Sequence, residues 1–472
     1  METVTLTAGD MAAATAGEIL QGSPAMTIGG ISIDSRKLGA GDFFVAIRGE
    51  RFDGHQFVGD VLARGASGVL LDTLPGDLAS RRDGAANAPV LIRAKDTTVA
   101  LQAVARHVRR LAGCKVVAIT GSAGKTTTKE VTAELLSARY RVFRNKGNLN
   151  NHIGLPLSLL ELRDKPEVAV VELGMNHHGE IRTLVGIAEP DVRVWTNVGD
   201  AHLGFFESPD AIADAKGEIL EHAASDTLLI ANANDGRIMS RAADFAGRVV
   251  TFGIETQADV EARGIEALGL EGTAAAIHTR HGEARIRTPL LGMGNLANVL
   301  AATAVALELG VSLSDVVKKV ADLRPAAHRG ELLRLPGGVT IVDDSYNSSP
   351  SALMRALETI GAATGSARKG AVLGEMLELG AHAERLHAEC GRAAAGAGLD
   401  WLIAVGGAAA RSMATAAVSS GMPSAAVVHV ANREEAVAVT LERVRPGDLI
   451  LVKGSRGIGT DLVVDRLKAE FA

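Results

Sequence analysis

A chain of 472 residues is longer than one hydrophobic core organises and predicts two to four domains. Its mild net charge of −6 excludes nucleic acid or an anionic membrane as the main partner. Two cysteines, Cys114 and Cys390, far apart and outside any CxxC pattern, exclude a disulfide framework or a cysteine zinc site. The opening METVTLTAGDMAAATAGEIL has no basic-then-apolar signal pattern, and no run of about 20 uncharged apolar residues follows. A cytoplasmic protein without membrane insertion is expected.

The first 90 residues read as a loose α/β pattern with glycine-rich turns at 29–30 and 39–41. A polar stretch, ASRRDGAANAP at 79–89, predicts a linker. Short β-branched runs then alternate with helix-length Ala/Leu/Glu stretches. Strands are predicted at 115–119, 167–173, 192–198, 227–231 and 248–253, and an alanine-rich buried helix over 296–307. A second series follows at 339–343, 369–373, 401–405, 426–430 and 449–452. Strands separated by helices predict parallel sheets, two series predict two sheets, and 311–329 is the expected seam.

The first predicted strand runs into Thr120-Gly121-Ser122-Ala123-Gly124-Lys125-Thr126-Thr127. The general phosphate loop has a glycine five positions before its Gly-Lys pair, and here that place holds Ile119. An ordinary turn therefore stays open beside a shorter phosphate cradle. For the cradle speak the strand-to-helix context, the glycines and the lysine, since backbone N–H groups and a helix N-terminus attract anions. Lys125 would neutralise phosphates and Thr126 would offer its hydroxyl to Mg²⁺. Glu172 and His202 fall at or just beyond the ends of later strands, where ligands of open α/β sheets gather. With Thr126 they make three candidate ligands of a Mg²⁺–nucleotide site. Lys216, in SPDAIADAKGEIL, follows an apparent Ser208 cap and Pro209 start and by itself reads as a solvated surface lysine.

Eight stretches in order carry a family resemblance: DSRKLGAGDFFVAIRGERFDGHQF (34–57), ITGSAGKTTTKE (119–130), NKGNLNNHIGLPLSLL (145–160), ELGMNHHGEI (172–181), TNVGDAHLGFFESPDAIADAKGEI (196–219), DDSYNSSPSAL (343–353), LGEMLELG (373–380) and VKGSR (452–456). In these the chain resembles the Mur ligases, ATP-dependent amide-bond ligases of peptidoglycan precursor synthesis, and the shortened glycine loop is that family's own form. The resemblance implies three domains. These are a small α/β UDP-binding domain (1–88), a central P-loop ATPase-like domain with a parallel sheet (89–312) and a C-terminal Rossmann-like domain (313–472).

The resemblance further implies that Asp34, Ser35, Arg36, Phe44, Gly49, Asp53, Gly54 and His55 bind the UDP-muramoyl substrate, with Asn150 and Asn151 positioning it. Residues 120–127 would hold the phosphates of ATP, with Lys125 catalytic. Thr126 and Glu172 would serve one Mg²⁺, and His202 and a carbamylated Lys216 a second. Asn295 and Asn298 would face the adenine, Arg329 the phosphates and Asp344 the ribose. Tyr346, Asn347 and Lys453 would line the side of the incoming D-Ala-D-Ala, with UDP-N-acetylmuramoyl-tripeptide as the other substrate and a monomer as the working form. Three places depart from the family pattern: Gly294 where a histidine usually precedes Asn295, Ser349 in place of the second asparagine after DDSYN, and GIGTDLVV after VKGSR.

The implied chemistry is γ-phosphoryl transfer to the tripeptide carboxylate, then attack on the acyl phosphate by a dipeptide amine. Which group accepts the amine proton stays open. Of the rivals, a ligase adding the third amino acid usually carries an Asp-Asn-Pro-Arg selector for diaminopimelate, which is absent here. A folylpolyglutamate synthase would lack the UDP-binding domain. A nucleotide-regulated scaffold would have no reason to keep the substrate-side motifs.

Overall fold

The computed structural model describes residues 3–49, 52–75, 88–200 and 203–471. Most of the linker expected at 79–89 and His202 lie outside the described residues. The chain forms two compact units. One holds Met1–Ala118, Tyr140–Met175 and Gly179–Arg193; the other holds Ile119–Arg139, Asn176–His178 and Val194–Ala472.

In the first unit a five-stranded sheet runs in the order Glu18–Gln21, Val90–Arg93, Gly68–Leu71, Phe43–Val45 and Ile31–Ser32. Its first strand is antiparallel and the rest are parallel. Phe44, Val58, Val61, Val69 and Leu91 form its core. A Thr7–Asp10 capping box starts the helix Ala8–Thr15. The Arg163 guanidinium fastens the start of the chain, donating to the carbonyls of Val4 (3.1 Å), Ile28 (2.8 Å) and Gly29 (2.6 Å). Asp96 caps the helix Thr97–Ala112, whose last turns send Arg106 and Arg110 to Glu189. These two arginines hold the Glu189 carboxyl at about 2, well below the usual range.

A nine-stranded sheet carries most of the first predicted series. Its order is Gly282–Thr288, Thr273–Thr279, Val260–Ala267, Arg248–Ile254, Leu228–Asn232, Val192–Trp195, Lys115–Thr120, Val168–Glu172 and Val142–Arg144. The sequence predicts a parallel sheet ending at 253. The structure extends it by one more parallel strand and an antiparallel ribbon, 273–288; the alanine-rich strand Thr273–Thr279 lacks an alternating pattern, while Gly282–Thr288 exposes Arg285 and Arg287 and buries Ile286 and Thr288. The strand predicted over 192–198 stops at Trp195; beyond it the Thr196 N–H still donates to the Thr120 carbonyl, and Thr196 Oγ1 and Asn197 Nδ2 turn to the Ala123 carbonyl of the glycine loop.

The C-terminal sheet, within the second unit, runs Glu331–Arg334, Thr340–Asp344, Asp448–Lys453, Arg368–Gly374, Trp401–Val405 and Val427–Val430. Only the first pair is antiparallel. Its inner strands Trp401–Val405 and Asp448–Lys453 are buried on both faces, as a doubly covered sheet requires. Leu449 and Leu451 face the helices Pro350–Ala362, Ala383–Gly396 and Ala408–Ser419. Ile450 and Val452 face Ala436, Val463, Val464 and Leu467 on the other side. Gly370 has no side chain because the Trp401 ring lies against it. This is the Rossmann-like arrangement expected, and it gathers Asp344, Gly374 and Lys453 at the carboxyl ends of adjacent strands.

Candidate active site

The glycine loop bridges the strand Lys115–Thr120 and the helix Lys125–Leu136. Gly121 (φ +152°) and Gly124 (φ +80°) adopt conformations that L side chains avoid. A Cβ at Gly121 would overlap Thr196 Oγ1, and one at Gly124 would overlap Asn298 Oδ1. Between them Ala123 is held from both sides: its N–H donates to Asn197 Oδ1 (2.9 Å), while Asn197 Nδ2 and Thr196 Oγ1 donate to its carbonyl (2.9 Å each). The Ser122 N–H donates to the Asn197 carbonyl and the Gly199 N–H to Ser122 Oγ. The loop backbone is thus pinned before any ligand arrives. The helix opens on a glycine cap with no side chain to cover its positive end, the arrangement that receives phosphate. Lys125 folds over the loop, with Nζ donating to the Gly121 carbonyl at 2.8 Å.

Asn298 and Asn295 belong to the same neighbourhood. Asn298 Oδ1 accepts from Thr128 Oγ1 (3.1 Å), its Nδ2 donates to Asn295 Oδ1 (3.2 Å), and Asn295 Nδ2 donates to the Leu291 carbonyl (2.9 Å). Space beside Gly294 is taken by Arg355, whose Nε lies 3.3 Å from where a Cβ would stand.

In the first unit, Glu172 ends its strand almost buried at 4 % exposure. Its Oε1 accepts from Asn150 Nδ2 at 2.8 Å, and its N–H donates to Asn145 Oδ1 at 3.2 Å. Asn150 therefore supports Glu172, while Asn151 Oδ1 accepts from the Gly154 N–H and starts the helix Gly154–Leu160. The reading of Lys216 as a surface lysine is overturned. It stands near the end of the helix Pro209–Gly217, 1 % exposed, on the face of Ile212.

At the C-terminal sheet, Asp344 and Lys453 pair at 2.6 Å, and Lys453 also donates to the Asn347 carbonyl. Lys453 and Ser455 are buried, at 3 % and 4 % exposure. The Arg329 guanidinium lies 4.1 Å from the Tyr346 ring centre, and Arg456 donates to the Tyr346 hydroxyl at 3.2 Å.

Two of the N-terminal residues are held within the fold. Phe44 is fully buried in the sheet core, so its side chain is not a contact for substrate. Both ring nitrogens of His55 are engaged, Nδ1 with Asp53 (2.7 Å) and Nε2 with the Asp72 N–H (3.1 Å), which makes Asp53-Gly54-His55 a folded turn. Gly54 is packed against Ile47 and Gly49 closes a turn onto Phe52. Asp34 and Arg36 form a two-pronged pair that holds the Asp34 carboxyl at about 2, beside Ser35.

The Mur ligase family catalytic domain matches residues 27–116, the Mur ligase middle domain 119–306, and the Mur ligase glutamate ligase domain 328–456. The UDP-N-acetylmuramoyl-tripeptide–D-alanyl-D-alanine ligase of Bacillus subtilis (strain 168) is 34 % identical over 93 % of this chain and 93 % of its own.

The chain belongs to the Mur ligase family.

Among solved Mur ligases, MurF from Acinetobacter baumannii superimposes with a TM-score of 0.88 at 33 % identity, covering 99 % of this chain and 100 % of its own. MurF from Thermotoga maritima, solved with ADP, gives 0.81 at 28 %, covering 94 % and 97 %. The sequence reading of this Mur ligase missed Thr196, Asn197 and Asn145, which hold the loop and Glu172. The available signal was a polar Thr-Asn pair placed directly after an apolar strand.

Proposed function

We infer that this Mur ligase catalyses the reaction its relatives are named for, joining D-alanyl-D-alanine to UDP-N-acetylmuramoyl-tripeptide. It is an ATP-dependent amide-bond ligase of peptidoglycan precursor synthesis. The observation that carries the reading is similarity over 93 % of the chain to ligases that add this dipeptide. The pinned glycine loop supports it with a physical means of holding triphosphate.

In this reading Gly121, Gly124 and Lys125 receive the phosphates, with charge on Lys125 offsetting repulsion between ATP and the tripeptide carboxylate. Asn295 and Asn298 face the adenine, Arg329 the phosphates and Asp344 the ribose, and Tyr346, Asn347 and Lys453 the dipeptide side. Asp34 and Arg36 bind the UDP-muramoyl substrate. Thr126 and Glu172 suit Mg²⁺, a hard cation that takes oxygen ligands; Glu172 is a nearly buried carboxylate held by an amide donor. When bound, the metal neutralises phosphate charge. Carbamylation of Lys216, which is 1 % exposed near the end of its helix, is carried over from the family resemblance; the carbamate would be an anion able to help hold a cation. His202 completes the proposed second metal set. Among the described residues no helix is long and apolar enough to cross a membrane, and we read the enzyme as a cytoplasmic monomer.

The test is phosphate release from ATP with UDP-N-acetylmuramoyl-tripeptide, with and without D-alanyl-D-alanine. Turnover is expected only with the dipeptide. Turnover with a single amino acid in its place would overturn the substrate assignment.

A further inference from the structure

We propose that His328 is the proton acceptor for the attacking dipeptide amine, oriented for that task by Asp343. The proposal rests on the ligase reading above.

His328 sits at the carboxyl end of the strand Thr340–Asp344 with a left-handed backbone (φ +60°), an unusual conformation for a residue with a side chain. Its Nδ1 lies 2.8 Å from Asp343 Oδ2. Asp343 is completely buried, and its second oxygen accepts from the Ser345 hydroxyl (2.6 Å) and the Ser345 N–H (3.2 Å). A carboxylate with donors on both oxygens is satisfied as an anion. The Ser345 hydroxyl, 3.4 Å from Nδ1, gives its proton to Asp343 at the shorter distance. Nδ1 of His328 therefore carries the hydrogen, which leaves Nε2 with its lone pair. Among the described residues no hydrogen bond to Nε2 is formed, and the side chain is 34 % exposed.

The surroundings place this base beside the proposed dipeptide side. The Tyr346 N–H donates to the His328 carbonyl at 3.1 Å, and the next residue, Arg329, covers the Tyr346 ring. A histidine held at one nitrogen by a buried carboxylate and open at the other is the arrangement of a general base. A purely structural histidine in this protein looks different, for His387 is fully buried and engaged at both nitrogens.

The step balances. The amine nitrogen bonds to the acyl carbon while the carbon–oxygen bond to phosphate breaks, and phosphate takes the electron pair. One amine proton passes to Nε2 of His328 and on to the departing phosphate, which leaves as hydrogen phosphate. The amide and the neutral histidine remain.

Two variants test this. Glycine and asparagine both tolerate the left-handed backbone, so His328→Gly and His328→Asn should keep the fold. Two rates are measured on each: dipeptide-capped product, and acyl phosphate trapped with hydroxylamine in place of the dipeptide. We expect product kcat to fall about 100-fold in both variants while trapping stays within about threefold of the parent, with added imidazole restoring His328→Gly by at least about tenfold. Parent-like product rates, trapping that falls in step with product, or no response to imidazole would each overturn the assignment. Failure of the ligase reading is separate, since it would appear as a parent enzyme whose turnover does not need the dipeptide.

Discussion

At the scale of single residues the glycine loop is set by what stands beside it. Gly124 needs a positive φ, and the space its Cβ would fill belongs to Asn298. Gly124→Ala is therefore expected to lower stability by about 1–3 kcal/mol in urea titrations and to cut ATP-dependent product formation at least about tenfold. Lys125→Ala removes charge without a backbone penalty. It should leave the melting temperature close to the parent's while lowering kcat by about 100-fold to 1000-fold. A variant that turned over at the parental rate would exclude a phosphate role for Lys125. The sequence makes both residues visible, because a strand-to-helix junction built of glycine and lysine is what a phosphate cradle requires. It hides the burial of Lys216 behind Asp210 and Asp214, which pair with Arg241 on the exposed face. A signal was present: Lys216 follows Ile212 by four residues and precedes Ile219 by three, the spacing of one helical face.

At the scale of elements, runs such as AVLGE and LILVK show in sequence as both-faces-buried parallel strands, and the structure contains them. The ribbon 273–288 shows only in part, since Glu283, Arg285 and Arg287 alternate with Ala284, Ile286 and Thr288 whereas the alanine run 274–276 gives no period. The helix Ala383–Gly396 carries a prediction of its own. His387 donates through Nδ1 to the Ala383 carbonyl and accepts at Nε2 from the Met376 N–H, tying the helix to the loop after the strand Arg368–Gly374. Burial pushes its pKa below the ordinary 6.5. The folded state thus holds the neutral ring, whereas the unfolded chain takes up a proton below about pH 6.5. Stability should be level above that pH and fall below it as far as the depressed folded value. His387→Leu should remove this dependence and, by leaving the Met376 N–H buried without an acceptor, cost about 1–3 kcal/mol at pH 7.5. Urea titrations at pH 5 and 7.5 measure both effects.

At the scale of the whole molecule, the two units hold different acid-sensitive groups. Glu189 in the first unit has its carboxyl lowered from 4.5 to about 2 by Arg110 and Arg106. The stability it contributes is complete above pH 4.5 and is lost as the pH falls towards 2. His387, in the second unit, acts at higher pH. Acidification is therefore expected to weaken the C-terminal sheet first and the first unit later. The two tryptophans, Trp195 and Trp401, permit the measurement. A Trp195→Phe variant leaves Trp401, buried in the C-terminal core, as sole reporter, and its transition should come at higher pH than loss of total helical signal. The strand order of that sheet also bears on how the protein is made. Its central strand, Asp448–Lys453, is the last in the chain yet lies between Thr340–Asp344 and Arg368–Gly374. A nascent polypeptide must carry two open strand edges through most of the synthesis of this region. Premature termination before residue 448 would leave those two edges without their shared neighbour, and such a product should aggregate more readily than the full chain.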